Sequence, residues 1–176
     1  MDESVQDCRV NPMSTATLYL CDTEATEAAG ARLAQALGGG TVVTLSGDLG
    51  AGKTTLVRGC LRAMGWKGSV KSPSYPLVEH YPFSSIYFYH FDFYRFADPN
   101  EWETAGLADC FRPDAACLVE WPERVAGRLP MPDLALTLTY PADTSQPGRE
   151  LALSAHTERG ERCLAAMIAL DAGTTR

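Results

Sequence analysis

The chain has 176 residues, 45% of them hydrophobic, which suits one α/β domain and is too apolar for a disordered polypeptide. Its net charge is −7, so a surface that grips a nucleic-acid backbone by itself is disfavoured, because that binding rests on an excess of lysine and arginine. The longest apolar run, Cys163 to Leu170, is far too short to cross a bilayer, and the acidic start MDESVQD is no ordinary secretory signal, so a cytoplasmic protein is expected.

Residues 1–16 lack periodicity and read as a loose N-terminal extension, with one domain over 17–176. Thr17–Cys21 reads as a short strand. A helix follows, capped by Asp22 or Thr23, with Glu24 and Glu27 at its favourable end, and it runs to about Leu37 before three glycines. The β-branched run Thr41–Ser46 predicts a buried strand, and Lys53–Met64 a helix with Leu56, Val57, Cys60, Leu61 and Met64 on one face. Beyond the proline-rich loop 70–76, strands are predicted at Leu77–Tyr81 and Ser85–Tyr94, then a turn over Arg95–Asn100. Helices are predicted over Glu101–Cys110 and Pro122–Leu129, with a strand at Ala115–Glu120 between them. Asp133–Tyr140 and Glu150–Ala155 read as strands, and Glu161–Leu170 as a closing helix. The six cysteines form no CxxC pair and the three histidines are scattered, so zinc spacing is absent and free thiols are expected.

The strongest signal is Gly47-Asp48-Leu49-Gly50-Ala51-Gly52-Lys53-Thr54, which matches the phosphate-binding pattern G-x-x-x-x-G-K-[ST]. Backbone N–H groups converge on phosphate oxygens only where a loop curls tightly, and glycines permit that. Lys53 then reaches the β- and γ-phosphates, Thr54 offers a hydroxyl to magnesium, and the helix contributes its positive end. A buried strand before the loop and an amphipathic helix after it complete the context. No guanine-selective N-K-x-D run is present, which favours ATP.

A magnesium nucleotide site needs a carboxylate at a neighbouring strand end. Glu120 ends the strand AACLVE, and Asp92 lies in HFDFYR; either suits the magnesium side or the attacking water. Arg95 is a candidate for stabilising charge on the transferred group, or else an ion-pair partner of Asp92. His90 shares a strand face with Asp92, as a site residue or a core histidine. Trp121 either stacks on a base, meets a partner or packs in the core. Residues 1–30 hold six acids and one base, whereas residues 47–72 hold five bases and one acid, Asp48. The basic stretch reads as a solvated helix face with Arg58 and Arg62 one turn apart, or else as a local basic face beside the phosphate site.

Four segments in order, GDLGAGKTT (Gly47–Thr55), SPSY (Ser72–Tyr75), HFDFYR (His90–Arg95) and VEWPER (Val119–Arg124), resemble the bacterial tRNA threonylcarbamoyladenosine biosynthesis ATPase family TsaE, also called YjeE. The resemblance covers about residues 17–155. It implies a P-loop sheet with a parallel core, antiparallel flanking strands and helices on both faces. It implies ATP with magnesium as cofactors and two protein partners, TsaB and TsaD, through which tRNA is met indirectly. The ATPase of that family resets the partner complex and does not itself transfer the threonylcarbamoyl group. On this resemblance the loop residues with Thr55, Trp121 and Thr23 bind nucleotide, Thr54 and Glu120 hold magnesium, and Asp92 and Arg95 join Glu120 in hydrolysis. Ser74 and Tyr75 stand where the family more often has threonine and phenylalanine, which keeps a hydroxyl and a ring. A small-molecule kinase and a nucleotide-sensing interaction module are the alternatives; the first lacks an arginine-bearing lid after Glu120, and Asp92, Arg95 and Glu120 argue against the second.

Overall fold

The computed structural model describes residues 11–169 apart from Pro99 and Thr144. Seven strands form one sheet in the order β1-β7-β6-β2-β5-β4-β3. The strands are β1 (Ser14–Leu20), β2 (Val42–Gly47), β3 (Val78–Pro82), β4 (Tyr87–Asp92), β5 (Ala115–Glu120), β6 (Leu134–Thr139) and β7 (Arg149–Ala155). Strands β6, β2, β5 and β4 run parallel as a central block. Strands β7 and β1 extend it antiparallel on one side, and β3 does so on the other. The family-implied architecture of a parallel core with antiparallel flanks is therefore present.

Burial follows position in the sheet. Every residue of β5 is buried, as a central strand covered on both faces requires, whereas β6 and β7 bury one face and expose the other. Helices α1 (Thr23–Ala34), α2 (Lys53–Ala63) and α4 (Glu158–Ile168) share one apolar cluster with Val43, Leu45, Leu118, Leu136 and Leu153. The opposite face is covered over β2, β5, β4 and the start of β3. A second cluster does this, in which Phe91 of β4 and Phe93 just after it pack with Trp102 of the short helix α3 (Asn100–Thr104) and with Leu107 and Val125 of two 3₁₀ turns.

Two close approaches hold the frame. A Cβ at Gly30 would lie 2.0 Å from the Leu56 carbonyl oxygen, and one at Gly59 would lie 2.0 Å from that of Glu27, so α1 and α2 meet backbone to backbone. Asp133, buried before β6, accepts from the Val42 N–H at 2.8 Å and from Arg159 Nε at 3.2 Å, and also from the Thr157 hydroxyl. One carboxylate thus ties the start of β2 to the start of α4.

Several boundaries differ from the sequence reading. Strand β1 begins at Ser14 because it pairs along its length with β7, which shortens the proposed N-terminal extension; residues 1–10 lie outside those described. Asp22 is the residue that caps α1, accepting from Ala25 N–H at 2.7 Å, and the helix ends at Ala34 instead of Leu37. The predicted helix over 101–110 is broken at Gly106, whose φ of 62° leaves α-helical space, into α3 and a 3₁₀ turn at Leu107–Cys110. The stretch 122–129 holds only a 3₁₀ turn, Pro122–Val125. Helix α4 starts at Glu158, because Thr157 accepts from the Gly160 N–H and caps it; Leu170 lies outside the described residues. None of the five described cysteines is disulfide-bonded.

Gly59→Ala should lower stability by about 1–3 kcal/mol through overpacking of the helix crossing. Gly38→Ala, where an added Cβ meets nothing within 4 Å, should change it by less than about 0.5 kcal/mol. Urea melts of the two variants check this, and equal losses would contradict the crossing argument.

Candidate active site

Three parallel strands end side by side, and the chemistry sits where they end. Leu45 of β2 and Asp92 of β4 both pair in register with Glu120 of β5. In open α/β sheets this carboxyl edge is where ligands bind. The cleft there has a volume of about 450 Å³, and Lys53, Thr54, Asp92, Glu120 and Trp121 contribute to its walls.

The glycine-rich loop leaves β2 at Gly47. Its φ is 133°, and a Cβ there would lie 2.2 Å from the Leu138 carbonyl oxygen, so no side chain fits. Gly52 is the N-cap of α2 with a left-handed backbone, and no side chain caps that helix. The N–H groups of its first turn are therefore left for a ligand, as at an anion-binding helix start. Asp48 serves through its backbone, whose carbonyl accepts from the Ala51 N–H at 3.1 Å. Leu49 projects into solvent at the cleft edge, and Thr55 lines the wall.

Lys53 is 4% exposed. Its Nζ donates to the Gly47 carbonyl at 2.6 Å and the Asp48 carbonyl at 2.9 Å, and it lies 4.1 Å from the Trp121 ring centroid. Burial pulls its pKa below the ordinary 10.5, opposed by the charges of Glu120, Asp92, Glu123 and Asp48. Trp121 follows β5 with φ at 58°, a conformation that large side chains rarely adopt, and its ring packs 5.1 Å from that of Tyr94.

Opposite the loop stand the two carboxylates, 2% exposed for Glu120 and 4% for Asp92. Glu120 Oε1 accepts from the Thr54 hydroxyl at 2.9 Å and lies 2.8 Å from His90 Nε2. Asp92 accepts from the Tyr94 N–H at 2.9 Å through Oδ1 and from the Ser72 hydroxyl through Oδ2. Asp92 is thus no surface acid paired with Arg95. Arg95 stands at the cleft with its guanidinium 4.7 Å from the ring centre of Tyr75, and among the described residues it forms no ion pair.

Thr23 lies apart from this wall, in an adjoining cavity of about 170 Å³ that shares Gly50, Gly52 and Thr55 with the main cleft. Arg149 closes that cavity, donating to the Ala51 carbonyl at 3.2 Å and lying 4.0 Å from the Tyr140 ring centroid. The sequence reading left Arg149, Ser72 and Tyr94 out of the site. Arg149 had no local signal, because β7 is far from the loop in sequence; SPSY and HFDFYR contained the other two.

The donor set suits magnesium. Among the described residues no three His, Cys, Asp or Glu side chains gather as metal ligands. A threonine hydroxyl beside one carboxylate is the sparse, all-oxygen set of an ion that keeps most of its waters.

A family model described as threonylcarbamoyl adenosine biosynthesis protein TsaE matches residues 20–151, from the end of β1 into β7. The chain belongs to the TsaE family. Among its TsaE relatives, the tRNA threonylcarbamoyladenosine biosynthesis protein of Haemophilus influenzae is 46% identical over 125 residues, covering 71% of this chain and 77% of the relative. That of Bacillus subtilis is 36% identical over 122 residues, covering 69% and 74%. The crystal structure of Bacillus subtilis YdiB superposes with a TM-score of 0.71 at 27% identity, over 88% of this chain and 94% of that one. Helix α4 lies beyond the TsaE match. No described helix is long and apolar enough to cross a membrane.

Asp92→Ala removes the acceptor for two groups and should cost about 1–3 kcal/mol in chemical denaturation. Arg95→Ala removes one exposed stacking contact and should cost about 1 kcal/mol or less. A reversed order would overturn the division between a buried anchor and a rim residue.

Proposed function

We propose that this TsaE-family chain is a magnesium-dependent ATPase that serves threonylcarbamoyladenosine modification of tRNA beside TsaB and TsaD in the cytoplasm. The observation that carries the reading is the pairing of Thr54 with Glu120 at 2.9 Å across a cleft whose other wall is the glycine loop and the buried Lys53. A hydroxyl and a carboxylate so joined, beside an uncapped helix start and a buried ammonium, form a site for a charged phosphate chain and its counterion.

In this reading Lys53 exchanges its two loop carbonyls for phosphate oxygens, and the first-turn N–H groups of α2 hold the same anion. Thr54 and Glu120 hold magnesium, which when bound supplies positive charge against the phosphates. Asp92 has both oxygens engaged, so it fixes the Ser72–Tyr94 wall and orients water at the cleft in preference to roaming as a free base. Arg95 meets developing charge from the rim. Thr23 and Arg149 receive the nucleoside end in the adjoining cavity, and Trp121 covers Lys53 until a ligand enters.

Turnover of ATP by the chain alone and with purified TsaB and TsaD is the test. Lys53→Ala and Glu120→Gln should each lower it by about 100-fold or more, and the partners should raise the wild-type rate. Asp92→Asn should lower turnover by a similar factor of about 100 with ATP affinity held within a few-fold. Partners that neither bind nor change turnover would remove the accessory role.

The Lys53 shift adds a pH signature. A lowered pKa means that the ammonium is fully charged below that value and loses its charge as pH rises through it, before an ordinary lysine at 10.5 would. ATP affinity should therefore begin to fall on the alkaline side below pH 10.5, and Lys53→Arg should flatten that fall, since the guanidinium stays charged. Titration calorimetry across the alkaline range reads both.

A further inference from the structure

His90 is fully buried, yet it makes one side-chain bond only. Its Nε2 lies 2.8 Å from Glu120 Oε1, and its Nδ1 is buried with no partner. A buried ring nitrogen without a partner is uncommon, so the ring is not held from behind by a second hydrogen bond. Everything polar that the His90 side chain does, it does at Glu120.

The chemistry assigns the proton. An ionised carboxylate only accepts, so the bond at 2.8 Å requires the hydrogen on His90 Nε2. Glu120 Oε1 then takes two donors, Thr54 Oγ1 from the front and His90 Nε2 from the strand beside it. Strand register explains the placement. Asp92 pairs with Glu120, and His90, two residues earlier on the same face of β4, lies beneath the Glu120 side chain.

We propose that His90 is a positioning residue, which fixes the Glu120 carboxylate for magnesium by donating from Nε2. The proposal rests on reading the cleft as a magnesium nucleotide site. Partners of this kind that orient a metal-side ligand have large effects without touching the metal.

The one-sided bonding makes the idea separable by substitution. A glutamine amide nitrogen reaches the place of Nε2, whereas an asparagine amide reaches only that of Nδ1, where nothing is bonded. The experiment measures binding of a non-hydrolysable ATP analogue by calorimetry, with and without magnesium, to wild type, H90Q and H90N, alongside melting temperatures. H90Q should need magnesium at a concentration within about threefold of wild type, and H90N about 10-fold or more, with analogue affinity in the absence of magnesium equal in all three. If H90N does not fold, H90L takes its place as the variant without a donor.

H90N or H90L matching wild type in magnesium requirement would overturn the proposal, and so would equal impairment of H90Q and the donor-free variant. Wild-type binding that does not respond to magnesium would instead remove the site reading itself, and the proposal with it. Magnesium-responsive wild type with an unaffected H90N would remove the role of His90 alone.

Discussion

Burying a carboxylate costs several kcal/mol unless donors surround it, and Glu120 is buried at the end of the most enclosed strand of the sheet. The cost is met through one atom, Oε1, which joins α2 through Thr54 and β4 through His90. That junction fixes the distance between the glycine loop and the acidic wall. It also explains why the cleft edge needs parallel strands. Only β2, β4 and β5 running the same way deliver the loop, Asp92 and Glu120 to one end together.

The loop is held open by conformation more than by contacts. Gly47 presses against Leu138 where a Cβ has no room, and Gly52 starts α2 without a side-chain cap. Lys53 satisfies itself on loop carbonyls under Trp121, so its charge is kept dry and near the first-turn N–H groups. In the proposed reading the uncapped first-turn N–H groups of α2 are already in place for a phosphate, while Lys53 has to leave its two carbonyls to reach it. The left-handed backbone at Trp121 is the local cost of laying that ring over the lysine, on the order of 1 kcal/mol.

The two faces of the sheet divide the labour. Three helices cover one face, and among them α1 and the loop helix α2 meet backbone to backbone. The aromatic cluster on the other face, with Phe91, Phe93 and Trp102, anchors the segment after β4 that bears Tyr94 and Arg95. The side of the sheet where β6 and β7 expose alternate residues takes part through Leu138, which backs the loop at Gly47, and through Arg149.

Much of this was legible in the chain itself. Gly47–Thr54, the β-branched run before it and the apolar β5 carry their meaning locally, because a tight loop and a buried strand are set by residue type and period. The alternation of β6 and the acid at Glu120 were equally plain. Other features are decided by contacts between distant residues. The predicted helix over Glu101–Cys110 runs through Gly106, and only the folded backbone, left-handed there, shows the chain breaking. Strand β1 gains its first residue through pairing of Ser14 with Ala155 of β7, far along the chain, which no local pattern records. The sequence placed His90 on the same face as Asp92 but left its role undecided between site and core. The register of β4 against β5 shows what no local pattern does: pairing Asp92 with Glu120 brings the buried His90 ring within a hydrogen bond of that carboxylate.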